Sequence, residues 1–253
     1  MALRRRARLA CRAVFPPGGV AHLFVAGAVA ALVAGVAAVE RKGALQLMLS
    51  RPLVLGPLLG WALGDAQGGL VIGVPLELLF LGGVNLGGSL PDNETLLAGA
   101  MTTAAVLAGK ATGTGVDPPL AALALLLLFP LALVGRRLER RTEDRNNALF
   151  ELAFAKAAEE RDPFPINLRG LVLPFVATAA ICFAVAFFSP ILAVLRSSCS
   201  PRAVSALTGS WHAVWALAAA TAIRAVRDRR APVFALAAFA ATLVLGLLLS
   251  GWP

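Results

Sequence analysis

The sequence predicts an all-α, polytopic membrane protein with broken or re-entrant helices, and three observations carry that reading. Of its 253 residues 58% are apolar and only 15% charged, with a mean hydropathy of +0.79; soluble domains run nearer half apolar and a quarter charged. The charges fall in short blocks between long apolar stretches. One such stretch, Pro52 to Gly88, is cut by Pro52, Pro57, Gly64-Asp65, Gln67-Gly68-Gly69 and Pro75, so no unbroken helix of ~20 residues fits it. Interrupted backbone is tolerated in lipid only where protein or a water-filled cavity satisfies the freed groups. The apolarity excludes disorder, and 24 glycines with 16 prolines exclude a coiled coil.

Residues 1–19 read as a basic cytoplasmic tail, with Arg4, Arg5, Arg6, Arg8 and Arg12 and no small-residue cleavage site before Phe15-Pro16-Pro17. Residues 20–135 form an N-terminal membrane region. Val20 to Val39 is its first span, and Gly27, Ala31 and Gly35 at i, i+4, i+8 offer a small-residue stripe for close helix approach. Lys42 to Arg51 is too short to cross and, charged at both ends, suits an interfacial helix. The broken segment, 52–95, follows. Leu96 to Ala108, a Gly/Thr-rich turn and a span at Pro118 to Gly135 complete the region, with the number of full crossings left open.

Residues 136–169 are the one long polar segment. It is expected to be cytoplasmic, with Leu149, Phe150, Ala153, Phe154 and Ala157 on one helical stripe that lies on the membrane or on a partner. Residues 170–253 hold C-terminal spans at Leu171–Leu195, about Val204–Ile223 and Pro232–Leu249. The first two of these return the chain to the side of the basic block Arg224 to Arg230.

The net charge of +9 lies mostly in blocks beside apolar segments, where cytoplasmic and headgroup positions hold basic residues. With few aromatic or polar residues interleaved, the blocks imply no nucleic acid. Cys11, Cys182 and Cys199 share no CxxC spacing and imply neither a disulfide framework nor a zinc site. Gly109-Lys110 lacks the other residues of a P-loop, and Ala62-Leu63-Gly64-Asp65 lacks the first glycine of an aspartyl GxGD motif. His22 and His212 have no ligand or triad partner near them in sequence. No catalytic residue, metal site or cofactor is expected.

The chemistry is expected in the broken segment. Asp65 and Glu77 stand in its most apolar part, where each ionisable side chain costs about 2.5–3.5 kcal/mol on insertion scales, so a cavity-facing role is the default. For Asp65 the competing role is a cap at a broken helix end. On one straight helix the two carboxylates lie about 18 Å apart; a turn at Ala66-Gln67-Gly68-Gly69 brings them alongside. Pro75 frees the carbonyl of Val71 one turn from Glu77. Asn85 follows among glycines, and Trp61, one turn before Asp65, offers either a stacking face for a sugar ring or an interfacial anchor. Asp92 completes the candidate set of Asp65, Glu77, Asn85, Trp61 and Asp92. Gly56, Gly60, Gly64 and Gly68 repeat at fours, a packing stripe that also permits one element to slide on another.

Ser50 to Leu97 resembles the membrane component IIC of the mannose/fructose/sorbose-type bacterial sugar phosphotransferase system. The likeness rests on Arg51-Pro52-Leu53, Leu63-Gly64-Asp65, Gly73, Leu76-Glu77, Gly82 or Gly83 with Asn85 and Gly87, and Pro91-Asp92. A weaker likeness in span pattern extends from the first span to about Gly246. The resemblance implies a multi-pass, sugar-translocating subunit of the bacterial inner (cytoplasmic) membrane. It would work with a second membrane subunit, component IID, while soluble components IIA and IIB supply phosphate. A homo-oligomer of that hetero-complex is expected, with sugar contacts at Asp65, Glu77 and Asn85 and no phosphohistidine in this chain. The basic start is longer and the end shorter than the family pattern, which keeps as an alternative a non-transporting regulatory or scaffold protein sensing phosphotransfer state through Arg136 to Arg169.

Overall fold

The structure, a computed structural model, describes residues 19–42, 47–81, 93–158, 164–226, 230–238 and 240, and all regular structure among them is helical. In chain order the helices are α1 (Gly19–Glu40), α2 (Pro52–Leu63), α3 (Ala66–Phe80), α4 (Glu94–Thr112), α5 (Pro118–Leu128), α6 (Pro130–Ala158), α7 (Phe164–Ser198) and α8 (Pro201–Ala225).

Among the described residues two helices are long and apolar enough to cross a bilayer alone, Gly19–Glu40 and Leu168–Ser198, and the α5–α6 pair, bent by 46°, passes the same criterion together. The expected span at Pro118 to Gly135 is therefore a bent one, with its break between Leu128 and Pro130, whose ring cannot donate to the ladder. The small-residue stripe of α1 does face another helix: a Cβ on Gly27 would lie 3.1 Å from Phe183, and one on Gly35 2.9 Å from Phe175. Bringing α1 and α7 this close replaces lipid contacts with dense van der Waals contact.

The centre of the bundle is α4. Thr95 to Gly109 are buried without interruption, because α1, α2, α3, α5, α6 and α7 all pack around it. A helix that touches no lipid needs no apolar coat. Its Ala, Gly and Thr side chains admit six neighbours, and Thr103 returns its hydroxyl to the Gly99 carbonyl at 2.7 Å.

The broken segment is a hairpin. Twelve-residue α2 and fifteen-residue α3 rise only about 18 and 22 Å, each short of the ~30 Å hydrocarbon layer. Gly64, at φ 87° in the left-handed region, closes α2, and the amide of Asp65 reaches back to the Gly60 carbonyl at 2.7 Å.

The ends of the bundle follow from pairings between helices. Arg41 and Lys42, just after α1, both pair with Glu139 of α6. Asn93, before α4, also binds Glu139, and Arg51, before α2, faces Glu94. These residues mark one end, the basic end. At the other, Lys110 bonds the Leu63 carbonyl and Arg196 pairs with Asp117. Since the hairpin enters and leaves at the basic end, it adds no crossing, and Gly19 and Arg136 stand at opposite ends. Of the tail expected over 1–19, all but Gly19 lies outside the described residues. Helices α7 and α8 return the chain to the basic end, where Thr221 bonds the Leu78 carbonyl at 2.9 Å.

Two further expectations change. Residues 47–50 form a turn where an interfacial helix over Lys42 to Arg51 was expected. The Glu40 carboxylate accepts from the amides of Met48 at 2.7 Å and Ser50 at 2.9 Å, holding Met48 at φ 59°. The stripe Leu149 to Phe154 is no separate helix lying flat; it continues α6, which packs along α7. The last expected span is helical at 231–238, and its remainder lies mostly outside the described residues.

Candidate functional site

Asp65 sits at the hairpin tip as the N-cap of α3, its carboxylate accepting from the Gly68 amide at 2.8 Å. The cap satisfies one of the orphan donors at the helix start. The chain turns at Gly64-Asp65, not at 66–69, so Asp65 and Glu77 are held by the same helix. They stand at opposite ends of α3, about 18 Å apart along the axis. Pro75 lies inside α3 without ending it. The two carboxylates therefore do not form one pocket.

Glu77 lies at the hairpin base with its side chain 13% exposed. Its carboxylate is 3.6 Å from the guanidinium of Arg51, which stands equally near Glu94. Here two carboxylates from α3 and from the start of α4 share one arginine, with the Leu53 amide 3.4 Å from Glu77 Oε2. Trp61 is 72% exposed and lies on α2 opposite the stripe of Leu55, Leu59 and Leu63 that packs inward, as an anchoring residue does. Asn85 and Asp92 lie outside the described residues.

Glycine spacing at fours has two meanings in the fold. A Cβ on Gly56 would lie 2.5 Å from the Gly69 carbonyl oxygen, one on Gly69 2.2 Å from that of Gly56, and one on Gly73 2.3 Å from that of Pro52. The α2 and α3 backbones thus touch directly, which makes the hairpin one rigid body and leaves no face free between them to slide. Gly64 serves the turn instead.

The tip is enclosed by the end of α4 and the loop after it. Lys110 Nζ donates to the Leu63 carbonyl at 2.8 Å, placing its charge at the C-terminus of α2, where the helix dipole is negative. Beside Lys110 a cavity of about 140 Å³ opens between α1, α4 and α7, lined by His22, Leu23, Leu107, Ala111, Ser189 and Pro190 as well. Asp117 caps α5 through the Leu120 amide at 2.9 Å and also takes Arg196 at 2.6 Å, fixing the loop to the end of α7.

Sequence reasoning missed Glu139. Its side chain is 4% exposed and takes Arg41, Lys42 and the amide of Asn93. A signal was present: Glu139 is the sole acid among Arg136, Arg137, Arg140 and Arg141. The pairing of Asp117 with Arg196, 79 residues apart, left no local trace.

A bundle built around a buried small-residue helix, with a re-entrant hairpin carrying a carboxylate at each end, defines a polytopic α-helical membrane protein. The model of the family described as the sorbose-specific IIC component of the phosphotransferase system matches residues 24–252, and the chain belongs to that family. It is 36% identical to the mannose-specific EIIC component of Escherichia coli strain K12 over 92 residues, 36% of this chain and 31% of that protein. The same figures hold for the Shigella flexneri protein of that description. The matched part thus spans about a third of the length of these curated relatives. A solved structure described as that of a membrane protein superposes with a TM-score of 0.64 at 24% identity, over 90% of this chain and 93% of its own, and shares the fold.

Proposed function

We propose that this chain is the sugar-translocating subunit of a phosphotransferase system of the bacterial inner membrane. In that role it is paired with a membrane component IID and served by soluble components IIA and IIB, in a homo-oligomer of that hetero-complex. The observation that supports this best is the hairpin: a glycine-locked rigid body, too short to cross, with Asp65 at its tip and Glu77 at its base. Such an element sets a carboxylate at each end of an otherwise apolar hairpin, and ionisable side chains kept in membrane-embedded segments mark a polar solute path by default. The family's soluble components act from the cytoplasm, and the basic end is assigned there by its excess of Arg and Lys. Glu77, Arg51 and Glu94 then face the side where the sugar is released for phosphorylation, while Asp65 stands nearer the side of entry. With the ends this far apart, the two carboxylates meet the sugar in succession.

The test is counterflow of labelled sugar in vesicles holding this chain with its IID partner. Exchange that needs both subunits and is lost in Glu77→Gln supports the proposal. Exchange by the partner alone, or full exchange by Glu77→Gln, refutes it.

A further inference from the structure

We infer that the outward face of α6 binds anionic phospholipid headgroups through Arg137, Arg140, Arg141 and Arg145. Residues at i, i+3, i+4 and i+8 share one face of a helix, and all four side chains are exposed. The opposite face is the packed one, with Gly135, Glu139, Thr142 and Ala153 buried. Just before the arginines, on the same outward face, Leu133 is 57% exposed and Val134 42%. One continuous surface therefore passes from lipid-facing apolar side chains to arginines within a single turn.

The depth agrees. Glu139 holds Arg41 and Lys42, the residues that end a helix able to span the bilayer, so the neighbouring turn of α6 lies at the membrane boundary. Arg137 to Arg141 rise about 6 Å along the axis, close to the thickness of one headgroup layer, and Arg145 is one turn farther, within reach of an arginine side chain. None of the four makes an ion pair among the described residues. Of the other carboxylates along this stretch, Glu139 is taken up by the inner cations, and exposed Glu143 stands between the packed face and the arginine face. Asp144 stands on the arginine face, unpaired among the described residues, and lowers the seam's charge to three positive. A guanidinium fork matches phosphate oxygens bidentately. The exposed Phe150 and Phe154 belong to a different sector, farther along α6, so the arginine seam carries no aromatic anchor of the kind a protein interface centres on.

The experiment places the full chain in nanodiscs of phosphatidylcholine with phosphatidylglycerol and counts retained phosphatidylglycerol by native mass spectrometry after release. Wild type is expected to retain it in preference to phosphatidylcholine. Each single Arg→Gln variant should weaken retention roughly fivefold, and R137Q/R140Q/R141Q/R145Q should abolish the preference. The single variants keep the test available should the quadruple one not insert. Equal retention by wild type and variants overturns the inference. So does displacement by millimolar inorganic phosphate, or a variant that keeps the lipid and loses only a soluble acidic partner protein. These readouts need no sugar transport, so they stand apart from the proposal above.

Discussion

Asn93 and Glu139, 46 residues apart, are joined by a buried hydrogen bond of 2.9 Å from the Asn93 amide to the Glu139 carboxylate. The same asparagine caps α4 through the Leu96 amide at 2.9 Å. One side chain thus starts the central helix and fastens it to α6, while Glu139 also gathers Arg41 and Lys42 from the end of α1. Three helices are tied at the basic end by a single carboxylate.

Removing that carboxylate takes an ion-pair partner from two cations that are only 14% and 19% exposed. Glu139→Ala is expected to destabilise the protein by about 3–5 kcal/mol. Glu139→Gln, which can still accept from Asn93, should cost less than Glu139→Ala. Unfolding of the detergent-solubilised protein measures both, and equal stability of Glu139→Ala and wild type would refute the joint.

The hairpin gives a paired glycine prediction. Gly69→Ala forces a methyl to 2.2 Å from the Gly56 carbonyl oxygen, a clash between backbones that neither side chain can relieve, and should cost about 1–3 kcal/mol or more. Gly209→Ala in α8 meets nothing within 4 Å and should stabilise by up to about 1 kcal/mol through helix propensity. Thermal midpoints of the two variants should therefore move in opposite directions.

Asp117 has two separable jobs, capping α5 and holding Arg196. Asp117→Asn keeps a capping oxygen and loses the ion pair; Asp117→Ala loses both and should cost about 1 kcal/mol more. With the pair 18% and 23% exposed, a double-mutant cycle with Arg196→Gln should return a coupling of about 1 kcal/mol. Strict additivity would mean that the contact contributes nothing.

At Asp65 the cap separates folding from transport. Asparagine caps a helix as well as aspartate does, so Asp65→Asn should insert and unfold like wild type while sugar counterflow falls at least tenfold. Asp65→Ala should lose about 1 kcal/mol of stability besides. Undiminished counterflow in Asp65→Asn would reduce this residue to its cap.

Membrane class, helical fold, the breaks after Pro52 and the α1 stripe were legible in the sequence because each rests on a local property. Hydropathy over one span, a proline inside it or glycines one turn apart act within about twenty residues. The turn position was legible only to within two residues: Gly64, Gln67-Gly68 and Gly69 are all competent, and the contact of Gly69 with Gly56 selects Gly64. That choice moved Asp65 and Glu77 from neighbours to opposite ends of a helix.

By itself, then, the sequence determined what must be buried in lipid, where helices must break, and the family to which the chain belongs. Only the tertiary structure decided which charges meet. The hairpin re-enters at its own end, which fixes the parity of all later segments, and packing around α4 brings Glu139 to Arg41, Lys42 and Asn93 and brings Asp117 to Arg196. Ion pairs between residues tens of positions apart depend on helix registry, and registry is set by side-chain volume at interfaces that a linear pattern of apolar and polar residues does not encode.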